Sequence, residues 1–267
     1  MSALPTRAPV VGTAISMTSY EEVLDVLSTR PTDRALVVAV CNVHSVMSAR
    51  RDPGLRAALD DAAVTTPDGV PLVWTLRHTA NPDQARVYGP DLMRRALTES
   101  AERGWKHYLY GSTPETLDRL LEAIAATAPG AEIVGSYSPP FAPPSPEQDA
   151  ADIERLRSSG ADIVWVGLGM PKQELWMHRV SRELPGMALV GVGAAFDFIA
   201  GTVEEAPAWM MRSGLEWLYR LSREPRRLWR RYILNNPLFM VLVTRQLLGQ
   251  KLRRVRKPAD GISHDSA

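Results

Sequence analysis

Short apolar, β-branched runs recur along the chain, each followed by a stretch in which apolar residues return every three or four positions. The first pattern marks buried strands and the second amphipathic helices. ALVVAVCN (35–42) predicts a buried strand, and VHSVMSARRDPGLRAALDDA after it predicts helical segments broken at Pro53-Gly54. AVTTPDG (63–69) predicts a short strand ending in a turn, and VPLVWTLRH a helix. GPDLMRRALTESAERG (89–104) reads as a helix with Pro90 in its first turn and Gly104 at its end. KHYLYGS (106–112) is a strand, after which Thr113 as N-cap and Pro114 open the next helix. AEIVGSYSPPF predicts a strand running into SPPFAPPSPE, an exposed, stiff loop. A helix over EQDAADIERLRSSG, a strand over ADIVWVGLG, a helix over KQELWMHRVSREL and a strand with a glycine-rich exit over MALVGVGAAFDFIAG (187–201) complete the series. Strands alternating with helices imply parallel pairing and an α/β, Rossmann-like parallel-sheet sandwich. Ligands of such sheets bind outside the carboxyl ends of the strands.

After Pro207 the pattern changes. Residues 207–257 read as an appendage of basic, amphipathic helices set apart from a core at 1–206, with Pro225 and Pro237 dividing it into three helices. Residues 258–267 read as a disordered tail. The net charge of +1 hides an asymmetry. Between Arg212 and Lys257 thirteen Lys or Arg face only Glu216 and Glu224, so the rest of the chain is net acidic. A basic end on an acidic body suits an anionic partner such as phosphate, lipid headgroups or nucleic acid. The lone cysteine, Cys41, rules out an internal disulfide, and reads as an inert strand residue. The N-terminal residues lack the pattern of a signal peptide, and no stretch has the length of an ordinary spanning helix, so a cytoplasmic protein is expected.

The strand exits gather small and polar residues. They are Asn42 and His44; Thr65, Thr66, Asp68 and Gly69; Gly111, Ser112 and Thr113; Gly167, Gly169, Lys172 and Gln173; and Gly193 and Asp197. Glycines let a ligand approach the backbone, and helix N-termini attract phosphate, so the set suits a nucleotide or nucleotide-sugar. Each member also has a plainer reading. Gly111-Ser112-Thr113 serves equally as a turn and cap, Asp68-Gly69 as an ordinary turn. His44 reads as structural and His178 as a surface residue. Asp197, between Phe196 and Phe198, must be partnered or functional, because an unpaired buried charge is costly. GVGAAF (191–196) is an incomplete dinucleotide fingerprint, which keeps a nicotinamide-dependent oxidoreductase as the alternative reading. A noncatalytic nucleic-acid binder is the third. The chain has no P-loop, no G-x-S-x-G elbow and no D-x-D. A departing diphosphate would then be neutralised by the arginines of the basic end.

TTPDGVPLVW, RVYGPDLM, LYGSTPETL, VGLGMPKQELWM, GVGAAFDFIAG and GLEWLYRLSREPRRLWRRY occur in that order. Over about residues 35 to 236 the chain resembles the WecG/TagA/CpsF family of bacterial glycosyltransferases (glycosyltransferase family 26). The resemblance implies inverting, metal-independent transfer from a UDP-sugar to a polyprenyl-diphosphate-linked saccharide, with no cofactor. It implies a C-terminal appendage that docks on the inner face of the cell membrane and completes the active site. It assigns the catalytic base to Asp68 and donor contacts to Asn42, Gln173 and Asp197. It gives the diphosphate to Arg220, Arg227 and Arg230, which one helical face presents only if Pro225 leaves the helix unbroken. Gly69, Gly111, Gly167, Lys172 and Gly193 join the donor site from the list of strand exits. Two positions depart from the family pattern: Val40 replaces a threonine, and Glu205 replaces an arginine. The expected partners are a UDP-sugar, a lipid-linked saccharide and an anionic membrane surface, with no nucleic acid. The donor sugar, the acceptor and the oligomeric state, a homo-oligomer included, are not fixed by the sequence.

Overall fold

The computed structural model describes residues 3–142 and 145–255. A two-stranded antiparallel hairpin, β1 (Arg7–Val10) and β2 (Thr13–Ser16), leads through α1 (Tyr20–Leu27) into a six-stranded parallel sheet. The sheet strands are β3 (Leu36–Cys41), β4 (Val64–Pro67), β5 (Lys106–Gly111), β6 (Glu132–Tyr137), β7 (Ile163–Gly167) and β8 (Ala188–Gly191). They lie in the order β4-β3-β8-β7-β5-β6. Connecting them are α2 (Val43–Ala49), α3 (Pro53–Asp61), α4 (Val70–Thr79), α5 (Gly89–Thr98), α6 (Ser100–Arg103), α7 (Pro114–Thr127), α8 (Pro146–Ser159) and α9 (Lys172–Val180). The short α10 (Ala195–Ile199) follows β8, and α11 (Ala208–Ser213), α12 (Glu216–Arg223) and α13 (Pro225–Val255) end the described chain.

Central strands bury both faces, and β3 (LVVAVC) is buried at every position. Two apolar layers result. One holds α2, α3, α4, α8, α9, the hairpin and part of α13; the other holds α1, α5 and α7 with Phe196 of α10. The chain leaves β5 toward one layer through α7 and leaves its neighbour β7 toward the other through α9. The gap between β5 and β7 is therefore a topological switch point, where open α/β sheets bind ligands. Gly111 and Gly167 end those two strands side by side. A Cβ on Gly111 would lie 2.7 Å from the Gly167 carbonyl carbon, and Gly111 has φ +122°, so this position admits no larger residue without strain.

Two expectations need correction. The stretch 187–201 is not one strand: β8 stops at Gly191, Gly193 turns the chain at φ +54°, and Asp197 sits in the first turn of α10. Pro237 does not divide the last helix. Leu228, Tyr232, Asn235, Phe239 and Val243 are buried at helical spacing on both sides of it, and their packing holds α13 together across the missing N–H. The three helices are separated at Gly214 and, as expected, at Pro225, which opens α13. The hairpin and α1 were not foreseen. The hairpin turns on Val11 (φ 50°) and Gly12 (φ 86°), and α1 opens on a Ser19–Glu22 capping box. The expected tail at 258–267 lies outside the described residues.

Candidate active site

Asp68 follows β4 directly. Its backbone N–H donates to the Cys41 carbonyl at the end of β3 (2.9 Å), as does that of Gly69 (3.3 Å). This pins the Pro67-Asp68-Gly69 turn against Asn42, and a Cβ on Gly69 would meet Asn42 Cα at 3.2 Å. Asn42 caps α2 with Oδ1, which accepts from the N–H groups of His44 and Ser45. Its backbone N–H donates to Ser45 Oγ (3.2 Å), and its side-chain Nδ2 makes no hydrogen bond among the described residues.

The Asp68 carboxylate is held from one side. Arg86 donates through Nη2 to Oδ1 (2.9 Å) and also to the Asp68 carbonyl through Nε. The same Nη2 reaches Glu216 Oε2 of α12 at 2.7 Å. One guanidinium thus ties the core acid to the appendage. Asp68 Oδ2 accepts no hydrogen bond among the described residues. Burial pushes the Asp68 carboxyl up to about 6, Glu216 adds to the rise, and Arg86 opposes it. Arg86 lies in the RVYGPDLM stretch but was not singled out there. The motif showed an arginine before a helix, and only the fold shows what it grips.

A cavity of about 320 Å³ opens over Asp68, between α4 and the three C-terminal helices. Its polar lining includes Asn42, His44, Asp68, Arg86, Arg220, Arg231 and Asn236, and its apolar wall includes Trp74, Leu215, Trp217, Phe239 and Met240. His44 is held neutral: burial and the nearby guanidinium groups of Arg231 and Arg51 bring its imidazole down to about 3. Cys41 is fully buried and its thiol is pushed up, as an inert strand residue should be.

The remaining predicted residues form a second locus, over the ends of β5, β7 and β8. Gln173 is buried. Its Oε1 accepts from the Gly169 N–H (3.2 Å), its Nε2 donates to Glu174 (2.9 Å), and Gly193 closes on it. Lys172 stands exposed, its ammonium 5.5 Å from the Phe141 ring of the proline-rich loop. Asp197 is half-buried and its carboxyl is raised by burial, with Arg227 and Arg220 opposing. Arg220 also stacks 5.3 Å over Phe198, so it stands between the two loci. Gly111, Gly167, Lys172, Gln173, Gly193 and Asp197 do not line the cavity above Asp68.

The three predicted arginines do not share a face, because α12 ends at Arg223 and α13 starts at Pro225. Arg227 turns back to Glu224 at 2.8 Å, and Arg230 lies exposed beside Trp229. Arg231 enters the cavity with Arg220 instead. The run of arginines could not show which of them faces inward; burial of Leu228 and Tyr232 beside the core sets the phase.

A parallel α/β sheet with glycine-paired strand ends, a raised carboxyl at a strand exit and inward arginines is an arrangement suited to an anionic ligand. The chain belongs to the WecG/TagA/CpsF family of glycosyltransferases, whose model matches residues 8–253. Among its relatives is an N-acetylglucosaminyldiphosphoundecaprenol N-acetyl-beta-D-mannosaminyltransferase of Bacillus spizizenii, 30% identical over 201 residues, which cover 75% of this chain and 76% of the relative. The oxidoreductase alternative finds no support. Gly191 is small because a Cβ there would meet Met177 Cε at 2.7 Å, and the helix after it is only five residues long.

Proposed function

We propose that this glycosyltransferase moves a sugar from a UDP-sugar to a hydroxyl of a polyprenyl-diphosphate-linked saccharide, inverting the anomeric carbon, at an anionic membrane surface. The observation that carries the reading is Asp68. It is a carboxylate with one oxygen fixed by Arg86 and the other open, placed in a cavity that also holds Arg220 and Arg231, neither of which forms an ion pair among the described residues. Asp68 Oδ2 takes the proton of the acceptor hydroxyl as its oxygen attacks the anomeric carbon from the face opposite UDP. The bond from that carbon to the β-phosphate oxygen breaks, and its electron pair leaves with UDP. The donor lies over the switch point, with Gly111, Gly167 and Gly193 admitting the nucleotide and Asn42, Gln173 and Asp197 orienting it. Lys172 stands at the rim. Arg220, from its place between the two loci, meets the developing diphosphate charge.

The membrane reading rests on the C-terminal helices. Among the described residues no helix is long and apolar enough to cross a bilayer. Yet Trp209, Trp229, Ile233, Leu234, Leu238 and Val241 are all exposed beside numerous arginines. Such a surface suits an anionic leaflet. Its place beside the cavity suits an acceptor that cannot leave the bilayer. The test is transfer from a panel of UDP-sugars to a short-chain polyprenyl-diphosphate-linked N-acetylglucosamine. The relative's name motivates this acceptor. The wild type should produce the disaccharide with one donor, and Asp68→Asn should lose about a hundredfold or more in kcat. Full activity of Asp68→Asn would overturn the assignment of the base.

A further inference from the structure

Arg231 is the cavity residue that the proposed mechanism has not used. Its Nε is buried and makes no hydrogen bond among the described residues, and the same is true of Arg220 Nε. Neither residue forms an ion pair there, whereas Arg86 in the same cavity satisfies both Asp68 and Glu216. Two like charges turned into one partly closed space are unfavourable unless an anion joins them. The two arginines lean different ways. Arg220 reaches toward Phe198 and Asp197 on the donor side. Arg231 lies toward α2, close enough to His44 to depress its basicity.

What surrounds Arg231 is apolar. Phe239 and Met240 stand on the same helix, and Trp74 faces them from α4. Met240 and Trp74 are about half exposed, so the wall continues from the cavity to the outer surface of α13. A nucleoside diphosphate would leave that wall uncovered. A diphosphate carrying a hydrocarbon chain would use both parts: the guanidinium fork for the phosphates and the wall for the first isoprene units.

We infer that the space under α13 seats the lipid end of the acceptor, with Arg231 binding its diphosphate while Asp68 meets its sugar hydroxyl. This rests on the proposed transfer reaction and adds a residue and a subsite to it.

The test is calorimetric titration of the full chain with farnesyl diphosphate and, separately, with UDP. The proteins are wild type, Arg231→Ala, Arg231→Lys, Met240→Glu, and Arg245→Ala as an exposed control. Arg231→Ala should weaken farnesyl diphosphate by about tenfold or more and leave UDP within about twofold. Arg231→Lys should recover part of the loss, since it restores the charge without the fork. Met240→Glu should weaken farnesyl diphosphate alone, and Arg245→Ala should change neither. Arg231 forms no ion pair among the described residues, and its guanidinium lies 5.6 Å over the Tyr232 ring, so a thermal melt of each variant checks that the fold survives and that a lost affinity is not unfolding. Equal loss of UDP and farnesyl diphosphate on Arg231→Ala, loss of UDP alone, or no loss of either would overturn the assignment. Binding is read without turnover. Farnesyl diphosphate binding that depends on Arg231, in a protein that transfers no sugar, would sustain the subsite while the transfer reading failed.

Discussion

Glu216→Gln tests how the appendage tunes the base. The Arg86 Nη2 contacts Asp68 at 2.9 Å and Glu216 at 2.7 Å. The two carboxylate oxygens are therefore no more than about 6 Å apart, where like charges repel by about 3 kcal/mol at an effective dielectric of about 20. That is about two pH units before screening, and solvent at the cavity mouth reduces it, so we expect about one. Removing the Glu216 charge lowers the Asp68 carboxyl, which the wild type holds at about 6. A general base must be ionised, so kcat/KM rises with pH to a plateau, and its acid limb reports the free enzyme's base. The limb should fall near 6 in wild type and about one unit lower in Glu216→Gln. At pH 5, normalised to its own plateau, the variant should be about fivefold more active than wild type. Arg86→Met must shift the limb upward, because the guanidinium opposes the rise. A limb that stays in place in Glu216→Gln, or one that moves down in Arg86→Met, would refute the electrostatic account of this site.

The remaining predictions concern stability and docking. Glu174 is buried, its Oε2 makes no hydrogen bond among the described residues, and burial raises its carboxyl from 4.5 to about 7. Charging it destabilises the fold progressively as pH rises from about 4.5 to 7, so Glu174→Gln should be more stable than wild type by on the order of 3 kcal/mol at pH 8, and equal to it at pH 4. Thermal melts at the two pH values read this directly, and equal gains at both would contradict it. Gly111→Ala should cost about 2–4 kcal/mol and most of the UDP affinity, measured by urea denaturation and calorimetry, because its Cβ has no room beside Gly167 and its φ is positive. Removal of the residues after Met211 takes away Glu216, Arg220 and Arg231 together with Phe239 and Val243, which pack into the core. Transfer by that truncation should be close to zero, and full activity would sink the role given to the appendage. Flotation with vesicles containing anionic lipid should carry the full chain at low salt and lose it as salt rises.

The sheet was legible because its central strands β3, β7 and β8 are runs of apolar, often β-branched residues and its helices carry Pro, Thr and Gly at their ends, signals that local sequence supplies. Gly111 and Gly167 were visible as strand exits, yet their pairing at the switch point depends on the strand order, which is set by contacts distant in sequence. The hairpin stayed hidden because its turn uses Val11 where Asn or Asp would announce the positive φ, although Ser19-x-x-Glu22 did carry a capping signal for α1. Pro237 misled because a proline's local cost says nothing of the tertiary packing that outweighs it. Asp68 stood out by its place after a strand; Arg86 did not, since the two are 18 residues apart and only folding joins them. The helix phase that turns Arg231 inward and Arg230 outward follows from the few apolar residues that α13 buries, and a run rich in arginines blurs that phase.

We propose that UDP and a catalytic carboxylate meet in this fold without metal. Calorimetric titration of the full chain with UDP and with NAD, in metal-free buffer, tests it most directly, with Asp68→Asn and Arg220→Ala measured alongside. UDP should bind to wild type and to Asp68→Asn alike and more weakly to Arg220→Ala, and NAD should bind to none of them. Binding of NAD with no response to UDP would contradict the proposal.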